Sequence, residues 1–182
     1  KLLEANPLNV RGALGYFSKP ADRPAVKFLS KIKVPTLILV GEFDIPDVHA
    51  HSGVMEAGIS NAKREIIFNS GHLIPFEQPK AFNESVFKFL NSMEFFQVLN
   101  SRGVEAAIQY FHRKRESEPD IVLFEEREMN ALGYSYLQDG KINAAIELFK
   151  LNTIAYPNSG NVYDSLGEAY LKNGQKDLAI KY

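Results

Sequence analysis

Apolar positions along the chain switch spacing from strand-like to helical. Leu37-Ile38-Leu39-Val40 is a continuous branched apolar run ended by Gly41, and Val34-Pro35 imposes an extended entry, so Thr36 to Val40 is predicted as a buried strand. Arg64-Glu65-Ile66-Ile67-Phe68 is a second strand candidate, closed by the turn residues Asn69-Ser70-Gly71. Helical spacing fills the intervals. A short helix is predicted from Asn6 and Pro7 with Val10, Leu14 and Phe17 on one side, a turn or two from Ala25 to Ile32, and a helix from about Asp47 to Gly58. Pro79 opens a further helix with Phe82, Val86, Phe89 and Leu90 on one face. From Asn91 onward only helical periodicity remains, so a domain boundary is placed near Leu90 to Phe96.

The second half also repeats. Leu137-Gln138-Asp139-Gly140-Lys141-Ile142-Asn143-Ala144-Ala145-Ile146 matches Leu171-Lys172-Asn173-Gly174-Gln175-Lys176-Asp177-Leu178-Ala179-Ile180 at a shift of 34. Counting from Glu126, Leu132, Gly133, Tyr136, Ala145, Phe149 and Pro157 stand where the tetratricopeptide pattern has its small, aromatic and helix-ending residues, and Leu166, Gly167, Tyr170 and Ala179 follow one period of about 34 residues later. This segment resembles that repeat family, with residues 126–159 one copy and 160–182 a truncated one. Met129 and Tyr163 stand where Trp is common, and Asn152 replaces a usual Ala. A weaker copy, Leu99 to Ile108 with Phe111 and Pro119, matches at a shift of 38, so 93–125 is a helical linker or degenerate repeat-like hairpin. The resemblance implies packing of paired helices and docking of a protein or peptide partner.

Composition narrows the classes. With 21 Lys plus Arg against 22 Asp plus Glu in 182 residues there is no electrostatic case for nucleic acid or an anionic membrane. The absence of cysteine removes disulfides, thiolate metal sites and a thiol nucleophile. No apolar run approaches the ~20 residues of a membrane span. The chain starts at Lys1 rather than Met, so it reads as a fragment; compartment stays open, with the cytoplasm favoured.

Two segments carry candidate chemistry. Val34 to Asp47 contains a strand followed by Gly41-Glu42-Phe43-Asp44, and Asn69 to Pro79 contains Gly71-His72 followed by Glu77-Gln78-Pro79. Together they resemble the last two strand ends of the α/β-hydrolase family, over roughly residues 25–90. The resemblance implies that Asp44 is the triad acid and His72 the catalytic base, with Asp47 the reserve carboxylate. In that family the serine lies on a GxSxG elbow upstream of the acid. No such pentapeptide occurs here; Gly133-Tyr134-Ser135-Tyr136-Leu137 comes nearest, in a repeat helix and without the second Gly. The chain alone should therefore be inactive, and a sheet cut to two strands should expose apolar surface.

Simpler readings apply to the other polar residues. Glu77 is read as structural, favouring the helix N-terminus that Pro79 opens. Asp47, His49 and His51 alternate at a helix start and point apart, so no metal is expected. His112 among Arg113-Lys114-Arg115 reads as a solvated helix end, and Phe95, Phe96, Tyr110 and Phe111 as core.

The fold expectation is thus an α/β unit, the C-terminal part of an α/β-hydrolase domain at 1–92, followed by an all-α helical-hairpin array over 126–182. The expected function is that of a serine-type hydrolase acting on a small-molecule acyl ester, thioester or amide, with no cofactor. The alternative is a repeat-based interaction scaffold with an inactive hydrolase-like domain. Related chemistry on the same fold, such as C–C bond hydrolysis or dehalogenation, is not separated by these residues.

Overall fold

A computed structural model describes residues 24–181. The helix predicted between Asn6 and Phe17 lies outside the described residues. The chain forms two compact units that part between Gln78 and Pro79.

The first unit is a strand–helix–strand crossover. A 3-10 helix, Ala25–Lys31, leads to β1 (Thr36–Gly41), α1 (Pro46–Gly58) and β2 (Ala62–Ile67). Pro35 keeps the entry to β1 extended, and Pro46 occupies the first turn of α1, where its missing N–H costs no hydrogen bond. The strands are parallel, in register from Thr36↔Ala62 to Gly41↔Ile67. Because a parallel pair needs a crossover, both C-terminal ends emerge on the same edge. β2 starts two residues earlier than the apolar pattern predicts and stops before Phe68, because the ladder is set by backbone pairing from Thr36 onward rather than by side-chain polarity.

The core of this unit is Ile38, Val40, Ile59, Ile67 and Ile74. Leu29 packs on Gly58, where an added Cβ would lie 2.8 Å from the Leu29 side chain. Arg64 ties β2 to α1: its Nε donates to Glu56 Oε2 at 3.1 Å and its backbone N–H to Glu56 Oε1 at 3.1 Å. The apolar surface expected of so small a sheet is present, with Phe43, Ile45, Phe68, Leu73 and Phe76 all exposed. A one-turn helix, α2 (Ile74–Glu77), closes the unit.

The second unit is helical. Its elements are α3 (Pro79–Arg102), α4 (Val104–Ser117), α5 (Glu126–Gln138), α6 (Ile142–Ala155), α7 (Gly160–Lys172) and α8 (Lys176–Lys181). α3 runs without a break through the 90–96 segment where the sequence pattern changes, since nothing between Pro79 and Arg102 interrupts helical hydrogen bonding until Gly103, at φ 84°, turns the chain. Phe95, Leu99, Ala107, Tyr110, Phe111, Leu123, Phe124, Met129, Leu148 and Leu151 form one core, so Phe95, Tyr110 and Phe111 are interior as predicted. Phe96 packs against its edge. Arg115 bonds the Ile154 carbonyl at 3.3 Å and Lys114 pairs with Glu94 at 3.4 Å, while His112 is exposed.

The periodicity appears in the backbone. α5 ends at Gly140, φ 74°, with Lys141 N–H donating to Tyr136 O at 2.9 Å and Gly140 N–H to Leu137 O at 3.2 Å. α7 ends identically at Gly174, φ 75°, with Gln175 N–H to Tyr170 O at 2.9 Å and Gly174 N–H to Leu171 O at 3.0 Å. This paired bonding around a left-handed residue is the Schellman closure, for which glycine is the unstrained choice. Gly133 lets the Phe149 ring press on α5, since a Cβ there would sit 2.5 Å from that ring. Asn152 is wholly buried and donates to Asn130 Oδ1 at 2.9 Å and to Glu126 O at 3.1 Å. Among the described residues no helix is long and apolar enough to cross a membrane.

Candidate active site

Asp44 and His72 stand at the two strand ends that share an edge. After Gly41 the chain turns, with Asp44 N–H donating to Gly41 O at 3.2 Å, and α1 begins two residues later. After Ile67 the chain turns through Asn69, whose φ of 56° is tolerated better by Asn than by most residues. The buried Ser70 hydroxyl donates to Ile67 O at 2.9 Å and fixes that turn. His72 follows at once.

These turns bring His72 Nδ1 to 3.1 Å from Asp44 Oδ1 and 3.0 Å from Oδ2. The Asp44 side chain is 5% exposed and that of His72 is 75% exposed. A buried carboxylate thus holds one ring nitrogen and leaves Nε2 as the nitrogen available for proton exchange, on a ring open to solvent. Burial works to raise the Asp44 pKa, but the hydrogen bonds from His72 and the Ile45 N–H, with the charges of His72 and His49, outweigh it. The carboxyl sits below the ordinary aspartate value, so it is ionised at neutral pH and favours the Nδ1–H tautomer of the imidazole.

Asp47, the reserve carboxylate, is exposed in the first turn of α1; Asp44 is the acid that reaches His72. His49 and His51 also lie on α1, His51 exposed, and among the described residues no group of three or more His, Cys, Asp or Glu is arranged to hold a metal ion.

Glu77 requires a correction. Its carboxylate does not serve the helix that Pro79 opens. Oε2 accepts the Gly71 N–H at 2.5 Å and Oε1 accepts the Leu73 N–H at 3.0 Å, the two amides that flank His72. The physical reason is reach: the short α2 folds the chain back, with Glu77 N–H bonded to Leu73 O at 3.0 Å, so the side chain meets the loop behind it.

Three supports escaped the sequence. Glu42 Oε2 accepts the Asn69 N–H at 2.9 Å, Gln78 Nε2 donates to Asn69 O at 3.1 Å, and Phe43 N–H donates to Ser70 O at 2.9 Å. The contact of Glu42 with Asn69 spans 27 residues, and nothing in local spacing announces it. Gly41 is the seat of the loop: a Cβ there would lie 2.0 Å from Gly71 O and 2.6 Å from Ser70 O.

Comparison with known proteins finds that the model of the alpha/beta hydrolase fold family matches residues 3–79, the segment that holds β1, β2, Asp44 and His72. One relative is a protein of Bacillus subtilis (strain 168) named "uncharacterized carboxylesterase nap", 35% identical over 65 residues, which are 35% of this chain and 22% of that protein. The chain therefore spans about a fifth of that relative's length, 22%. No solved structure matches the chain.

Proposed function

We propose that Asp44 and His72 are the acid and base of a serine-type hydrolase that cleaves small-molecule acyl bonds, an ester, thioester or amide. The observation that carries this reading is the 3.0 Å approach of His72 Nδ1 to Asp44 Oδ2 across adjacent ends of two parallel strands. Ligand chemistry in open parallel sheets concentrates outside the carboxyl ends of the strands, which is where this pair stands. The carboxylesterase name of the relative agrees with an ester as the first substrate to try.

In this mechanism Nε2 of neutral His72 accepts the proton of a serine hydroxyl as its oxygen attacks the acyl carbon. Asp44 holds the Nδ1–H tautomer and stabilises the imidazolium that forms. The imidazolium returns the proton to the leaving oxygen, nitrogen or sulfur as the acyl bond breaks, giving an acyl-serine. Water then attacks the acyl carbon, His72 takes its proton and returns it to the serine oxygen as the acyl–oxygen bond breaks, and the carboxylic acid leaves with the serine hydroxyl and neutral His72 regenerated. The mechanism needs a serine and oxyanion donors in addition to this pair, and no GxSxG sequence occurs within residues 1–182.

The helical unit is proposed as a tetratricopeptide array that docks a protein or peptide partner. The duplicated Schellman closures at Gly140 and Gly174, one repeat apart, support it.

Labelling of the whole protein with a fluorophosphonate, which captures an activated serine, tests the enzyme reading. Labelling of wild type and its loss in His72→Ala are expected. Equal labelling of both, or none in wild type, contradicts the reading and favours the docking array with an inactive hydrolase-like domain.

A further inference from the structure

Glu77 is an exposed glutamate with both oxygens occupied by backbone amides of a single short loop. Oε2 accepts from Gly71 and Oε1 from Leu73, so the carboxylate bridges the residue before His72 and the residue after it. Bonds from N–H to an ionised carboxylate are stronger than neutral ones, and two to one group also fix orientation. The contacts at Asn69 and Ser70 hold the start of the loop, whereas His72 itself belongs to no helix or strand and its ring nitrogen Nδ1 bonds to Asp44. A second observation points the same way. The face of Gly71 that would carry a Cβ looks at this carboxylate, 3.4 Å from Oε2 and 3.6 Å from Oε1, while the Gly71 carbonyl lies against Gly41. The loop is therefore gripped between the end of β1 and the Glu77 side chain.

We infer that Glu77 is a positioning residue for His72, an anionic clamp that sets the loop so that Nδ1 meets Asp44 and Nε2 faces the reacting proton. The inference rests on the proposed acid–base role of His72. Glu77 touches neither the ring nor Asp44; it acts through the two amides. Charge matters as well as length, because only a carboxylate offers an acceptor to each N–H. In Glu77→Gln the amide has one acceptor oxygen and an NH2 group, so one backbone N–H meets a donor.

The test reads the loop and the turnover together. In NMR spectra of this chain, Glu77→Gln is expected to move the Gly71 or Leu73 amide proton upfield and to raise the Asp44 carboxyl titration toward the ordinary aspartate range, while the amides of β1 and β2 stay in place. In the whole protein, kcat on a short acyl ester is expected to fall by about 10-fold to 100-fold with KM unchanged, the range that a misplacement near 1 Å can cost. Glu77→Asp, which keeps the charge on a shorter arm, is expected to recover part of that loss. Wild-type kcat and an unmoved Asp44 titration in Glu77→Gln overturn the inference when His72→Ala abolishes turnover in the same assay. If His72→Ala also leaves turnover intact, it is the acid–base reading that fails, and the clamp's catalytic role with it. Should Glu77→Gln unfold the sheet, Glu77→Asp decides: reduced kcat at unchanged melting temperature supports the clamp, and full kcat overturns it.

Discussion

His72 Nδ1 lies 3.0 Å from Asp44 Oδ2 although 28 residues separate them, because parallel pairing of β1 and β2 delivers both following turns to one edge of the sheet. The pairing of Gly41 with Ile67 ends both strands at the same level, and each turn then places Asp44 or His72 within five positions. The relationship is set by backbone geometry before side-chain chemistry enters, and it makes several outcomes predictable.

Asp44 should make the unit acid-sensitive in a defined direction. Its folded pKa is depressed below the ordinary value of 3.8, so its contribution to stability is present above that value and is lost as pH falls through the folded one. Asp44→Asn is therefore expected to melt below wild type at neutral pH and to converge on it in strong acid. Melting temperatures of both chains over a pH series read this; a gap that stays constant across the series contradicts it.

Gly41→Ala should be harmful although it adds one methyl. The new Cβ would meet two backbone carbonyl oxygens, at 2.0 and 2.6 Å, and backbone cannot swing aside as a long side chain can. A loss of about 1–3 kcal/mol is expected, in the range of overpacked sites. Denaturant unfolding measures it, and the Asp44–His72 contact should loosen with it.

The paired helix closures predict paired costs. Gly140 and Gly174 have φ of 74° and 75°, and nothing lies within 4 Å of where a Cβ would stand. Alanine at either is therefore disfavoured by its backbone alone, by about 1–2 kcal/mol. Gly140→Ala is the cleaner test, since Gly140 joins two long helices, α5 (Glu126–Gln138) and α6 (Ile142–Ala155). An unchanged denaturation midpoint would show that this closure carries no strain.

Much of this was legible in the sequence, and the illegible part has a common cause. The run Leu37 to Val40 named β1, Pro46 and Pro79 marked helix starts, and Gly-x-x-Asp with Gly-His named the two residues that meet. These are local signals, set by neighbours in the chain. Glu42, Glu77 and Gln78 were misread or unseen because their partners are fixed by how two turns pack, which spacing does not encode. The continuation of α3 past residue 92 was hidden by a change in residue pattern that helical hydrogen bonding ignores.

Asn152 illustrates the same limit within the helical unit. Where the proposed repeat would have a small residue, this chain buries an amide that satisfies Asn130 Oδ1 and Glu126 O, while its own Oδ1 has no hydrogen bond among the described residues. Asn152→Ala strips both acceptors of this donor and opens a cavity, so it is expected to cost about 1–3 kcal/mol rather than to improve the repeat. Thermal unfolding decides; a higher melting temperature would mean that the repeat's usual small residue is preferred.

The proposed acid–base role of the Asp44–His72 pair is tested most directly by steady-state turnover of the whole protein on a short acyl ester, with wild type, His72→Ala and Asp44→Asn compared at equal folded concentration. Loss of the carboxylate in a serine-type triad lowers turnover by about 10⁴-fold, so both variants are expected to fall by at least about that factor. Turnover in His72→Ala equal to that of wild type would contradict the account.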